Sequence, residues 1–239
     1  MVTLKLRIQI VLTYLGFPPL ASLFFILMKH WLKYDVIDIK KTREFYKEIT
    51  KDPRPLLICS NHLTYIDSIL IIWMFGHPLW YLTHLDKISW NLPNAKYAKN
   101  PFFRFVGYFG KCMFIERKGS LAHSNKVLEQ AISILKREQV LTIFPEGRRS
   151  KTGRFETDKL VFGPGRVFSE VNDCRVLCVY VRSNKQNGAS SLPPKNSVFK
   201  PLFRFITPET SKSGYEGYKE IVSQIGASIK ELEVQHFSL

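Results

Sequence analysis

The sequence predicts an α/β protein whose mixed, partly parallel sheet is flanked by helices and preceded by an N-terminal membrane-associated helical hairpin. Three observations carry this expectation. Short β-rich runs alternate with helical patterns from residue 56 onward. Apolar residues make up 45% of 239 positions, with 18 Phe, 10 Tyr and 4 Trp, enough for a sizeable core and too many for a disordered chain. A long charge-free apolar stretch precedes both patterns. The chain accordingly divides into an apolar membrane-associated segment, residues 1–37, and one α/β domain, residues 38–239.

Residues 8–28, IQIVLTYLGFPPLASLFFILM, lie between Lys5 and Arg7 on one side and Lys29, His30 and Lys33 on the other. Their length suits a spanning helix. Gly16, Pro18 and Pro19 interrupt that pattern, because the prolines remove two backbone donors and push Phe17 away from helical geometry. Each half would cover roughly 15 Å, about half of a ~30 Å hydrocarbon layer. A bent, monotopic hairpin is therefore expected, with both basic ends on the cytoplasmic face. No small-x-small site follows the run, which argues against a cleaved signal peptide. A helix pair buried in the core is the alternative.

After a charged stretch from Asp38 to Lys51, strands are expected at 56–60 (LLICS), 79–83 (LWYLT), 111–116 (KCMFIE), 140–144 (VLTIF), 175–181 (RVLCVYV) and 197–206 (SVFKPLFRFI). A helix over 121–139 carries Val127, Leu128, Ala131, Ile134 and Leu135 at helical spacing. Another, over 213–233, opens with the capping box Ser213-x-x-Glu216. Residues 183–197 are turn-rich and read as an exposed loop. The aromatic run PFFRFVGYFG could line an acyl tunnel or rest on a membrane, although packing in the core is the commoner fate of such residues.

Lys and Arg number 35 against 20 Asp and Glu, so the chain carries +15. That surface attracts polyanions, and charge alone does not choose among nucleic acid, anionic lipid headgroups and phosphorylated metabolites. The aromatic and basic patterns of RNA-binding modules are missing, so no nucleic-acid partner is expected. Cys59, Cys112, Cys174 and Cys178 form no CxxC pair or zinc spacing, which argues for reduced thiols and against a metal site. Neither a GxSxG nucleophile elbow nor a GxxxxGK[ST] phosphate loop occurs.

The stretch CSNHLTYID sets His62 and Asp67 between two apolar runs. On one helix the two would stand about 140° apart and never meet. If 56–60 is a strand and a helix starts just after His62, Asp67 can reach back to the imidazole. The carboxylate then fixes the tautomer and leaves the other ring nitrogen as a base for a hydroxyl. Two further strands deliver charge in the same way, one ending at Glu116, Arg117 and Lys118 and the other at Glu146, Gly147, Arg148 and Arg149. Ligand sites of open α/β sheets lie at such strand ends, and clustered arginines bind phosphate. The implied chemistry is attack by an activated hydroxyl of a phosphate-anchored substrate on an acyl group.

NHLTYID resembles the NHxxxxD motif of the glycerophospholipid acyltransferases. GKCMFIER is similar to their second block, Gly-x-x-x-Phe-Ile-x-Arg, and FPEGRRS to their third, Phe-Pro-Glu-Gly-Thr-Arg-Ser. HxxxxD alone is a weak pattern, whereas the ordered trio, spread between about residue 50 and about residue 185, is specific. The resemblance implies transfer of a fatty acyl group from acyl-CoA or acyl carrier protein to a lysophospholipid hydroxyl, foremost that of 1-acylglycerol-3-phosphate. It makes His62 the general base and Asp67 its orienting partner. Arg117, Glu146, Gly147 and Arg149 would hold the phosphorylated acceptor, with no metal and no cofactor beyond the acyl thioester. A membrane-embedded N-terminal helical segment is also implied. Arg148 stands where the family usually has Thr, an extra cation beside the acceptor, and Cys178 stands where a fourth block usually has Pro. The alternatives are another lysophospholipid or glycerol-3-phosphate as acceptor, or a non-catalytic basic membrane-binding protein.

Overall fold

The computed structural model describes residues 4–116 and 121–238. The chain starts with helix α1 (Leu4–Ile26), prolonged by a π-helical turn at Leu27–Trp31, then forms β1 (Asp35–Val36), α2 (Ile39–Ile49) and β2 (Leu56–Ser60). Next come α3 (Asp67–Phe75), α4 (Pro78–Tyr81), β3 (Trp90–Asn91), α5 (Pro101–Phe109), α6 (Leu121–Leu135) and β4 (Val140–Ile143). The last elements are α7 (Gly163–Ser169), β5 (Arg175–Tyr180), β6 (Val198–Phe199), β7 (Leu202–Ile206) and α8 (Gly214–Ser238).

The main sheet has the order β3-β4-β2-β5-β7. Its first four strands are parallel, and β7 pairs antiparallel with β5. In register, Leu57 faces Leu141 on one side and Val176 on the other, which makes β2 the centre and explains why all five of its residues are buried. Alternate side chains feed two cores. Leu57, Cys59, Leu141, Val176 and Cys178 pack against Val127, Leu128, Ile225 and Ile229 of α6 and α8. Leu56, Ile58, Val140, Leu177 and Val179 pack against Tyr46, Trp73 and Phe75 of α2 and α3.

Four strand expectations hold in place, at β2, β4, β5 and the second half of 197–206. That last run is cut at Pro201, which supplies no ladder donor: Val198–Phe199 pairs with β1 in a separate two-stranded sheet, while Leu202–Ile206 joins β5. Residues 79–83 are not a strand. His77 accepts the Leu79 amide at 3.2 Å through Nδ1 and Pro78 sits at the first helical position, so local capping starts the short helix α4. Residues 111–116 form no full strand either. They lie beside β3 through isolated bridges, Asn91 to Cys112 and Asn94 to Ile115. Their entry is pinned by buried Lys111, whose ammonium donates to the Leu85 and Ile88 carbonyls and to Gln139.

The expected division of the N-terminal segment into two helices is absent: α1 continues through Pro18 and Pro19. Two lost backbone bonds are outweighed by packing along the helix. Gln9 Nε2 donates to the Tyr108 and Cys112 carbonyls at 3.0 and 3.1 Å, Phe17 meets Tyr81 edge-on, and Met28 is buried. Gly16 lets α5 approach so closely that a Cβ there would stand 2.0 Å from the Phe109 ring. The segment is long and apolar enough to cross a membrane by length and composition, and little of it is buried. It is one helix laid against the domain, not a hairpin.

Candidate functional site

His62 and Glu146 follow the carboxyl ends of the neighbouring parallel strands β2 and β4 by two and three residues. Asn61 fixes the departure of the chain from the sheet. Its side-chain amide donates to the Val181 carbonyl at 3.0 Å and accepts the Val181 amide at 2.8 Å, so it continues the β2–β5 ladder beyond Ser60. Asp67 opens α3, where a carboxylate is favoured by the helix N-terminus. From there it closes a loop onto 62–64. Asp67 Oδ2 meets His62 Nδ1 at 2.9 Å and accepts the amides of Leu63 and Thr64 at 2.6 and 2.8 Å, while the Thr64 hydroxyl donates to Oδ1.

An ionised carboxylate only accepts, so this contact puts the proton of a neutral imidazole on Nδ1 and leaves Nε2 with its lone pair. The ring also stacks on Phe144, centroids 4.3 Å apart, which fixes its plane. His62 and Asp67 retain 13% and 8% of their side-chain exposure, so the pair is shielded yet reachable.

The loop after β4 grips the same turn from the other side. Glu146 Oε2 accepts the His62 amide at 2.8 Å, and the Ser150 amide donates to the His62 carbonyl at 2.8 Å. Burial pushes the Glu146 carboxyl up to about 8, an effect partly offset by the amides of His62 and Glu156; its other oxygen, Oε1, is buried without a partner. Gly147 makes the turn with φ +60, a backbone state that favours glycine. Arg149 lies with its guanidinium 3.8 Å from the Tyr65 ring centroid and donates to the Ser190 carbonyl, which leaves donors of its fork unused. Arg148 is held by Glu156 at 3.1 Å, so part of the extra charge expected from it is already neutralised.

Six of the expected site residues therefore stand on two adjoining loops: His62, Asp67, Glu146, Gly147, Arg148 and Arg149. Arg117 lies outside the described residues. Sequence reasoning missed Asn61, Thr64, Tyr65, Phe144 and Ser150, all within or beside the same motifs, and the 183–197 loop. That loop closes over the turn: the Tyr65 amide donates to Ser191 and the Ser190 amide to Leu63. Asn61, as the first residue of NHxxxxD, and Phe144 and Ser150, as the two ends of FPEGRRS, carried a sequence signal; Thr64, Tyr65 and the 183–197 loop did not.

Beside the pair lies an apolar cavity of about 130 Å³ between α1, α3 and α5, lined by Phe17, Ala21, Ile72 and Val106 among others. Ser68, the residue after Asp67, also lines it. Among the described residues no group of three or more His, Cys, Asp or Glu side chains is placed to hold a metal ion. The cysteines are free, and burial pushes all four thiols up, so none is activated as a nucleophile.

A curated protein from Cocos nucifera, named 1-acyl-sn-glycerol-3-phosphate acyltransferase, is 33% identical over 101 residues, which is 42% of this chain and 29% of that protein. The chain thus spans under a third of the length of that relative. The family profile described as Acyltransferase matches residues 41–182, from α2 through β5, and includes His62, Asp67 and Glu146 to Arg149. With more than half of its length matched, the chain belongs to the acyltransferase family.

Proposed function

We propose that the protein transfers a fatty acyl group from an acyl thioester, of coenzyme A or of acyl carrier protein, to the free hydroxyl of a lysophospholipid, 1-acylglycerol-3-phosphate foremost. The observation that carries this reading is the His62 ring, held at Nδ1 by Asp67 and with no partner at Nε2 among the described residues. Nε2 takes the proton of the acceptor hydroxyl as its oxygen bonds to the thioester carbonyl carbon. The carbon–sulfur bond then breaks, and the imidazolium, stabilised by Asp67, returns the proton to the departing thiolate. Arg149, flattened on Tyr65, offers its remaining N–H groups to the acceptor phosphate. The cavity next to Ser68 has an apolar lining suited to an acyl chain.

Membrane association belongs to the same reading. Leu4, Val11, Leu15, Leu23 and Ile26 of α1 face outward, while the inner side of the helix is tied to the domain from Leu6 to Met28. A helix fastened along its length cannot stand upright in a bilayer without burying the domain, which favours a monotopic seat in one leaflet.

The test is incubation of the membrane-reconstituted protein with labelled acyl-CoA or acyl carrier protein and a panel of lysophospholipids. The expected result is a labelled diacyl product and a loss of about 10² to 10⁴-fold in His62→Ala, with thermal unfolding little changed. Absence of any acylated lipid, or equal turnover by the variant, would sink the reading.

A further inference from the structure

Helix α5 presents its aromatic residues in an unusual way. Packing in the core is the common fate of such a run, yet Phe102, Phe103 and Phe105 are 64%, 52% and 58% exposed, and only the later part of the helix, from Val106 onward, turns inward. Asn100 caps the helix by accepting the Phe102 amide at 2.9 Å, and Pro101 takes its first position, so the three rings stand on a well-started helix. Lys96, Lys99 and Arg104 are exposed in the same segment. Gly16 seats α1 against Phe109 of this helix, and both helices line the apolar cavity.

We propose that the first turn of α5 is a second membrane-insertion element, distinct from α1, whose three phenylalanines enter the acyl region of an anionic phospholipid leaflet while Lys96, Lys99 and Arg104 engage its headgroups. Phe102 meets Phe103, Phe103 meets Tyr97 and Phe105 meets Phe109, yet all three rings stay more than half exposed, and such apolar patches mark interaction surfaces. Charge selects the occupant. A second copy docking through this face would bring the same cations together on a chain of net charge +15, whereas anionic lipid supplies the opposite sign. The geometry also has a use: with α1 and α5 both seated in the leaflet, the cavity they share opens toward the lipid phase.

The inference rests on the membrane reading above, and the experiment separates the two. Full-length wild type and Phe103→Trp are mixed with vesicles of phosphatidylcholine containing phosphatidylglycerol, with or without brominated acyl chains. Flotation of wild type with the vesicles decides membrane association itself. The added indole of Phe103→Trp, read against the wild-type tryptophan background, decides α5: a blue shift on vesicle binding and a loss of its emission to the bromines are expected. An indole that keeps its aqueous emission while the protein floats overturns the proposal. So does light scattering that shows a dimer in the absence of lipid that Phe103→Arg converts to monomer, because the face would then be covered by a second copy. Position 103 is exposed, so these substitutions leave the fold intact, which far-ultraviolet circular dichroism checks.

Discussion

The loops after β2 and β4 and the outer side of α1 and α5 are built on opposite terms. Around His62 most groups are answered from within the chain: the amide by Glu146, the carbonyl by Ser150, and Nδ1 and the ring face by Asp67 and Phe144, with Nε2 left for a substrate. On the outer side of α1 and α5 the large side chains, Leu15 and Phe102 among them, point away from the protein. An over-determined polar loop is preorganised for chemistry, because no reorganisation is needed when charge develops on the imidazole. An uncovered apolar face is determined by what lies outside it. Substitutions in the first region should therefore act on turnover and stability, and those in the second on where the protein resides.

Asp67 is the severest test of the first half of that contrast. In Asp67→Asn the new amide can turn its oxygen toward the Leu63 and Thr64 amides and Nδ1–H, with its nitrogen facing the Thr64 hydroxyl, which can accept. The fold survives, but the imidazolium loses its counter-charge, and turnover should fall on the order of 10² to 10³-fold. Asp67→Ala adds a structural penalty by leaving two buried amides unpaired, about 2–4 kcal/mol in thermal or urea unfolding. Equal stability of the two variants would show that the loop does not depend on these bonds.

How far the sequence announces each region follows from the range of the forces involved. β2, β4 and β5 are continuous apolar runs between polar loops, so burial alone identifies them, and their carboxyl ends locate the site. His62 and Asp67 are legible because a local turn brings them together. Tyr65 under Arg149 and Ser190 on the Leu63 turn are not, since those contacts join segments distant in sequence. The same limit explains the misread α1. Two prolines carry a strong local signal for a break, and the α5 and α4 surfaces against which the helix packs are invisible until the chain is folded. At 79–83 the error was the reverse: β-prone side chains concealed a cap at His77.

Glu146 sharpens the comparison through pH. Its carboxyl titrates at about 8 in the folded protein against an ordinary 4.5, so between those values the native state holds a proton that the unfolded chain has released. Stability must then fall as pH rises through that window. Glu146→Gln keeps an acceptor for the His62 amide and removes the slope, so near pH 8 it should gain on wild type by an amount on the order of a few kcal/mol relative to pH 5. Parallel unfolding curves across the range would refute this. A smaller effect belongs to the seam between the regions. Gly16→Val drives a side chain into the Phe109 ring and should cost about 1–3 kcal/mol in thermal unfolding, while an unchanged melting temperature would mean that α1 does not depend on that contact.

The smallest change in stability is expected where the side chains are largest and most apolar. Leu15 and Leu23 are 72% and 58% exposed, so Leu15→Ser combined with Leu23→Ser removes little internal packing and should alter detergent-solubilised unfolding by within about 0.5 kcal/mol per site. Partition to vesicles should nevertheless drop roughly tenfold if α1 takes the proposed seat in the leaflet, because the lost apolar area would then be covered by lipid. Asp67→Asn supplies the mirror image, with turnover lost and partition kept. If the double serine variant instead unfolded like a core mutant while still floating with vesicles, α1 would be packed by protein on both sides, and the division between an internally satisfied site and an externally satisfied face would fail at its second half.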